Sequence, residues 1–167
     1  DRTSERAAAP APAPEFLLES TNGERVSLCA GRPGRVASAV VFLAQDCPVS
    51  KLYATQVGKL AKEYSEQGIA FFVVDSTASS DANQSRELAK LTGTEMLLDP
   101  MRAVAGRFEV GRAATALLFD KEFKLVYRGA IDDQHTLSPG AAASKGHASH
   151  EWLVEAIEAL LADGEVA

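Results

Sequence analysis

The sequence predicts an α/β domain: a mixed central sheet flanked by helices and preceded by an N-terminal β-hairpin. Three observations carry that expectation. Two runs, residues 37–43 and 69–75, apolar but for Ser38 and the closing Asp75, are separated by one long stretch of helical periodicity. Two short apolar segments, 116–119 and 124–127, are joined by the turn-like Asp120-Lys121-Glu122-Phe123, as in an antiparallel pair. The chain then closes on Leu153, Ala156, Ile157, Leu160 and Leu161, which share one helical face. Strands that are apolar throughout belong to a sheet covered on both faces, with parallel strands at its centre.

Taken in order, residues 1–14 carry charges and then alternating alanine and proline, a composition that favours an extended, solvated chain. A disordered Ala/Pro-rich tether is expected over 1–14 and a single domain over 15–167. The chain does not start with Met, and such spacers commonly follow a removed signal sequence. The expected location is therefore periplasmic or extracytoplasmic, with any membrane anchor outside these residues. Phe16 to Glu19 and Arg25 to Leu28 flank Thr21-Asn22-Gly23, a strong hairpin signal because Asn and Gly both tolerate positive φ.

From Pro48, the residues Val49, Leu52, Tyr53, Val57, Leu60, Ala61 and Tyr64 recur every three or four positions, marking a long helix that ends near Gly68. Pro48 suits its first turn, where no amide donor is missed. A polar loop and a helix around Ser85 to Leu91 follow the second apolar run. Met96-Leu97-Leu98 then precedes Asp99-Pro100 and a short helix carrying Val104, Ala105 and Phe108. The last helix stops before Gly164, as a C-terminal glycine predicts.

With 167 residues, 46% of them hydrophobic, the chain is long enough for one core. Its 23 acidic and 17 basic residues give a net charge of −6 without a long basic run, which argues against a nucleic-acid partner. No apolar stretch approaches the roughly 20 residues of a membrane-spanning helix. Cys29 and Cys47 make neither a disulfide framework nor a zinc site, so any thiol chemistry uses one thiol or borrows a partner. Cys29 reads as a small core residue, a Cys29–Cys47 disulfide being the alternative. His135, His147 and His150 are scattered about the small, flexible segment 140–146 and read as solvated; neither metal nor cofactor is expected. Tyr53, Tyr64 and Trp152 fit helix packing.

Four segments carry a resemblance: residues 41–54 with Asp46-Cys47-Pro48-Val49-Ser50, Leu98-Asp99-Pro100, Leu117-Leu118-Phe119-Asp120, and Tyr127-Arg128-Gly129-Ala130-Ile131-Asp132-Asp133. Together they resemble the redoxin group, the AhpC/TSA and TlpA-like branch of the thioredoxin superfamily, over about residues 16–164. Cys-Pro-x-Ser with Tyr-Arg-Gly-x-Ile-Asp-Asp is similar to one exported subgroup. The resemblance implies a thioredoxin fold with an extra N-terminal hairpin, and a reactive thiol, Cys47, where a strand gives way to a helix. Helix amides without partners favour a thiolate there; Lys51 adds to this and Asp46 opposes it.

The departures from the family pattern define the chemistry expected. Ser50 occupies the place of the resolving cysteine, and a hydroxyl can hydrogen-bond a thiolate but cannot resolve a mixed disulfide. Val41 stands where thioredoxins bury an acid. Ala44 stands where peroxiredoxins have Thr, and Arg112 falls about two residues from their peroxide-polarising Arg. Ala113 and Ala114 replace the usual Thr–cis-Pro pair, which predicts a trans peptide and an altered substrate groove. Arg128, Asp132 and Asp133, just beyond the last strand, form either a functional loop near the cysteine or a structural turn in which Asp caps amides and Arg pairs with a carboxylate.

Two functional readings follow. In the first the protein is a thiol-dependent oxidoreductase with Cys47, Ser50 and Lys51 as catalytic residues. Asp46, Pro48, Ala113, Ala114, Arg128, Asp132 and Asp133 then support its groove, and a peroxide or disulfide is its substrate. An external thiol reductant or thioredoxin-like protein regenerates it. In the second, indicated by Val41, Ala44, Ser50 and Ala114, it is a catalytically degenerate binding or scaffold module of an exported protein.

Overall fold

The computed structural model describes residues 16–29, 33–77, 82–138 and 141–163, and the expected tether at 1–14 lies outside them. Seven strands form the main sheet: β1 (Leu17–Ser20), β2 (Arg25–Ser27), β3 (Ala37–Phe42), β4 (Ile69–Asp75), β5 (Met96–Leu98), β6 (Thr115–Phe119) and β7 (Leu125–Ala130). Their spatial order is β2-β1-β5-β4-β3-β6-β7. The central strands β3, β4 and β5 run parallel, whereas β1, β2, β6 and β7 join antiparallel.

Both faces of the sheet are covered, which is why β3 and β4 read as almost wholly apolar runs rather than alternating ones. Ala37, Ala39, Val41 and Leu43 pack on the face carrying α1 (Pro48–Ser65), α2 (Ala82–Thr92) and α4 (Trp152–Asp163). Val40 and Phe42 point the other way, toward α3 (Ala103–Arg107), Leu18 and Leu28. Each of the valine, leucine and phenylalanine side chains among them contributes about 1.5–3 kcal/mol by leaving water, the alanines less.

Helix α1 buries Val49, Tyr53, Val57, Leu60, Ala61 and Tyr64. Leu52, expected on the same face, is 40% exposed, because it borders a stripe centred on Tyr53, Val57, Leu60 and Tyr64. Gly58 lets α1 touch α2 backbone to backbone: a Cβ there would lie 1.9 Å from the Thr92 carbonyl oxygen.

One feature extends the sequence reading and two correct it. Met96–Leu98, an apolar tripeptide too short to show a pattern, is a full member of the sheet between β1 and β4. β7 runs through Ala130, so Arg128 lies within the strand rather than beyond it. The segment 140–146, expected to be small and flexible, holds β9 (Ala141–Ser144), which pairs with β8 (His135–Ser138) just ahead of it in a separate two-stranded sheet; β8 packs against α1. Backbone pairing there needs no apolar side chains, so composition does not reveal it.

Candidate functional site

Where β3 ends, the chain folds back onto the first turn of α1. The Leu43 N–H donates to the Val74 carbonyl at 3.0 Å, and the Cys47 N–H to the Ala44 carbonyl at 3.1 Å. Ser50 is fully buried, and its Oγ accepts a hydrogen bond from the Ala44 N–H at 2.9 Å. That bond fastens the loop delivering Cys47; it joins Ser50 to the loop backbone and not to the thiol.

Cys47 is the N-cap of α1, in extended conformation (φ −96°, ψ 118°), half-buried against the core and with no capping bond from its side chain. Pro48 at the first helical position has no amide proton, and the Val49 and Ser50 N–H groups have no acceptor among the described residues. An N-cap side chain is the natural acceptor for those two donors. A neutral thiol accepts weakly, so the donors are available to a charged sulfur. Asp46, Pro48 and Lys51 are exposed around it. Val41 is buried in the apolar core on β3.

Opposite the end of β3, the loop before β6 holds Ala113 and Ala114. None of the described peptide bonds is cis, and Ala114 adopts a left-handed conformation (φ 59°) while its N–H donates to the Phe42 carbonyl at 2.7 Å. An L-residue there costs about 1–2 kcal/mol. Proline fits neither requirement, since its φ is fixed near −65° and it lacks the N–H. On one side of this loop lies a cleft of about 280 Å³ bounded by Ala44, Thr77, Arg102 and Arg112. On the other, a groove of about 490 Å³ is bordered by Arg112, Ala114, Thr115 and Arg128.

Two residues to which the sequence reading gave no role, Asp99 behind the cleft and Arg102 in its wall, fix its shape. Asp99 is buried and accepts from the N–H groups of Ala103 (2.7 Å), Val104 (3.1 Å) and Ala105 (3.0 Å) and from Ser76 Oγ (3.0 Å), so it anchors α3. Aspartate ahead of a short helix is the signal that marks it. Arg102 is left-handed (φ 54°) and donates to the carbonyls of Val110 at 2.8 Å and Ser76 at 3.4 Å, linking the loops after β4 and α3.

Arg128 pairs with Glu109 at 2.9 Å and donates to the Phe108 carbonyl at 3.1 Å, on the surface. Asp132 is buried, with its carboxylate oxygens accepting from Tyr53 Oη (2.5 Å), Gln56 Nε2 (2.6 Å) and the Gln134 N–H (2.8 Å). It ties the β7–β8 turn to α1. Burial first, then the bond to Asp132, holds the Tyr53 phenol well above the usual tyrosine range. Asp133 accepts from Lys145 Nζ (2.6 Å) and the N–H groups of Ser149 (2.7 Å) and His150 (3.1 Å); chiefly through Lys145, its carboxyl is lowered to about 2.

The structure thus gathers Asp46, Cys47, Pro48, Ser50 and Lys51 in one turn, and sets Ala114 and Arg128 along one groove. Asp132 and Asp133 serve the β7–β8 turn and the approach to α4. His135 bonds Ser144 Oγ through Nδ1 at 2.7 Å, and His150 stacks on Trp152. Cys29 is half-buried, and no disulfide joins it to Cys47.

A parallel β3-β4-β5 core with antiparallel β6 and β7, helices on both faces and a cysteine capping the helix after the central strand defines a thioredoxin-like protein. Within that class the chain belongs to the redoxin family, whose sequence pattern matches residues 8–144. Its fold is shared by a hypothetical protein from Sinorhizobium meliloti (24% identity, 98% of this chain and 89% of that one, TM-score 0.78). An uncharacterized conserved protein from Geobacillus kaustophilus is similar (24% identity, 95% and 84% covered, TM-score 0.76). So is a putative protein disulfide isomerase from Bacteroides thetaiotaomicron (21% identity, 75% and 80% covered, TM-score 0.61). No curated protein matches the chain. No described helix is long and apolar enough to cross a membrane.

Proposed function

We propose that this redoxin is a thiol oxidoreductase acting through Cys47 alone. The observation that carries the reading is the half-buried Cys47 at the N-cap of α1, beside amides that have no acceptor among the described residues, with Ser50 where a resolving thiol would stand. With a hydroperoxide, the Cys47 thiolate attacks one oxygen; an S–O bond forms as the O–O bond breaks, and the leaving alkoxide takes up a proton. One external thiol then displaces water from the sulfenic acid to give a mixed disulfide. A second releases it as a free disulfide and restores Cys47. With a disulfide substrate, the Cys47 thiolate attacks one sulfur, the S–S bond breaks, the other sulfur leaves as a thiolate, and the resulting mixed disulfide is released by an external thiol.

Asp46, Pro48 and Lys51 form the rim of this site, Ala113, Ala114 and Arg128 its facing groove, and Asp132 and Asp133 support it through α1 and the turn before α4. The reductant is a small thiol or a thioredoxin-like protein, the location extracytoplasmic, and the β1–β2 hairpin an addition ahead of the thioredoxin core. Peroxide and disulfide turnover is measured with excess external thiol for the wild type and for Cys47→Ser. Turnover that disappears in the variant is the expected result; its absence in the wild type, or its persistence in the variant, overturns the reading. Val41, Ala44 and Ala114, which replace family residues around the site, favour the second reading of a binding or scaffold module, under which Cys47→Ser leaves the host phenotype unchanged.

A further inference from the structure

The cleft beside the Cys47 loop has chemistry of its own. Its walls are divided: Phe42, Leu43, Ala44, Ala105 and Val110 form an apolar side, while Ser76, Thr77, Arg102 and Arg112 form a polar one. No Asp or Glu lines it among the described residues. The acids behind the wall are already occupied. Asp99 accepts from three amides and Ser76, and Asp75 from the Thr77 N–H and Ser85 Oγ. Glu109, on the neighbouring groove, is paired with Arg128. In a protein of net charge −6, the cleft is therefore a local positive site.

Several of its donors lack partners. The Arg112 guanidinium makes no hydrogen bond or ion pair among the described residues, and neither do the N–H groups of Gly111, Arg112 and Ala113. Thr77 Oγ1 is buried with no partner among the described residues, a state that in native proteins calls for an explanation such as a missing ligand. Arg102, by contrast, is held in place by two carbonyls, so its charge is fixed at the cleft. At about 280 Å³ the space lies near the lower end of small-molecule sites.

We propose that this cleft binds a small organic carboxylate with an apolar body, the carboxylate held by Arg112 and the 111–113 amides and the body lying against Phe42, Leu43 and Val110. A planar carboxylate matches the guanidinium fork. The apolar wall gives a hydrocarbon an advantage over a bare inorganic anion. The site takes no part in the thiol chemistry, although Ala44 and Ala113 border both.

The test is a titration of the full chain with hexanoate, followed by amide NMR shifts, with hexanol and inorganic phosphate as comparison probes. Saturable shifts at Ala44 and Gly111 to Ala113 are expected with hexanoate, and much weaker ones with hexanol or phosphate. Arg112→Ala weakens hexanoate binding about tenfold or more, as loss of a charge-assisted bond does. Arg112→Lys falls between, and Lys59→Ala, on exposed α1 surface, changes nothing. Cys47→Ser retains binding, so the carboxylate site stands or falls apart from the thiol reading. No saturation with hexanoate, equal affinity in Arg112→Ala, or phosphate binding as well as hexanoate overturns the proposal.

Discussion

Raising the pH should expose how completely this fold shields its phenols. All three tyrosines, Tyr53, Tyr64 and Tyr127, resist ionisation, and burial is the leading cause in each. The Tyr53 and Tyr64 hydroxyls also donate to the carboxylates of Asp132 and Glu158, so a phenolate would lose a bond and face a negative charge. Tyr127 donates to the Ala130 carbonyl and is raised to about 12, with the Glu155 charge as the second cause. In the unfolded chain each tyrosine ionises near pH 10. The folded state therefore keeps its protons longer, so this contribution to stability is whole below about pH 10 and declines as pH rises through the folded values. At about pH 11, ionisation of the unfolded state removes about 1.4 kcal/mol for each tyrosine, or about 4 kcal/mol in all, against a typical stability of about 5–15 kcal/mol. Near-ultraviolet tyrosinate absorbance and far-ultraviolet circular dichroism, followed together, should show no tyrosinate near pH 10 and then one shared transition above about pH 11. A third of the tyrosinate signal appearing near pH 10 while the dichroism stays native would refute the assignment of at least one phenol.

Ser50→Ala leaves the Ala44 amide without its acceptor and should cost about 1–2 kcal/mol in denaturant unfolding, with faster alkylation of Cys47 as the loop loosens; unchanged stability and alkylation would count against that bond. Ala114→Pro removes the N–H given to Phe42 and forces φ away from 59°, so a loss of about 3 kcal/mol or more is expected. Ala114→Gly, relieved of left-handed strain, should match or exceed the wild type, and a Pro variant equal to the wild type would show that the loop adopts another conformation.

The parts legible in the sequence are those whose residues are neighbours in the chain or repeat along it. β3 and β4 announce themselves as almost wholly apolar runs, and α1 by spacing from Val49 to Tyr64 with Pro48 at its start. Leu52 shows the limit of that signal, because a residue at the border of a stripe counts as apolar whether or not it is covered. Three-residue β5 gives no period, and β8 and β9, four residues each, are held by backbone pairing without an apolar pattern. The site divides in the same way. Cys47 and Ser50 are visible because strand-to-helix junctions have local signatures. The bond between Tyr53 and Asp132 spans 79 residues of sequence and leaves none. Ala114 hides its left-handed backbone because the residue is not glycine. The cleft beside Ala44 is assembled from four separate segments, with no motif in any one of them.

Ser50 also bears on how such sites change over evolutionary time. A serine-to-cysteine exchange replaces one oxygen by sulfur and restores a two-thiol sequence. Sulfur, however, is a poor acceptor for the Ala44 amide. A lineage moving between one-thiol and two-thiol chemistry at this helix must therefore re-anchor the loop that delivers its nucleophile, and the compensating changes should cluster at positions 43–46 rather than within the helix.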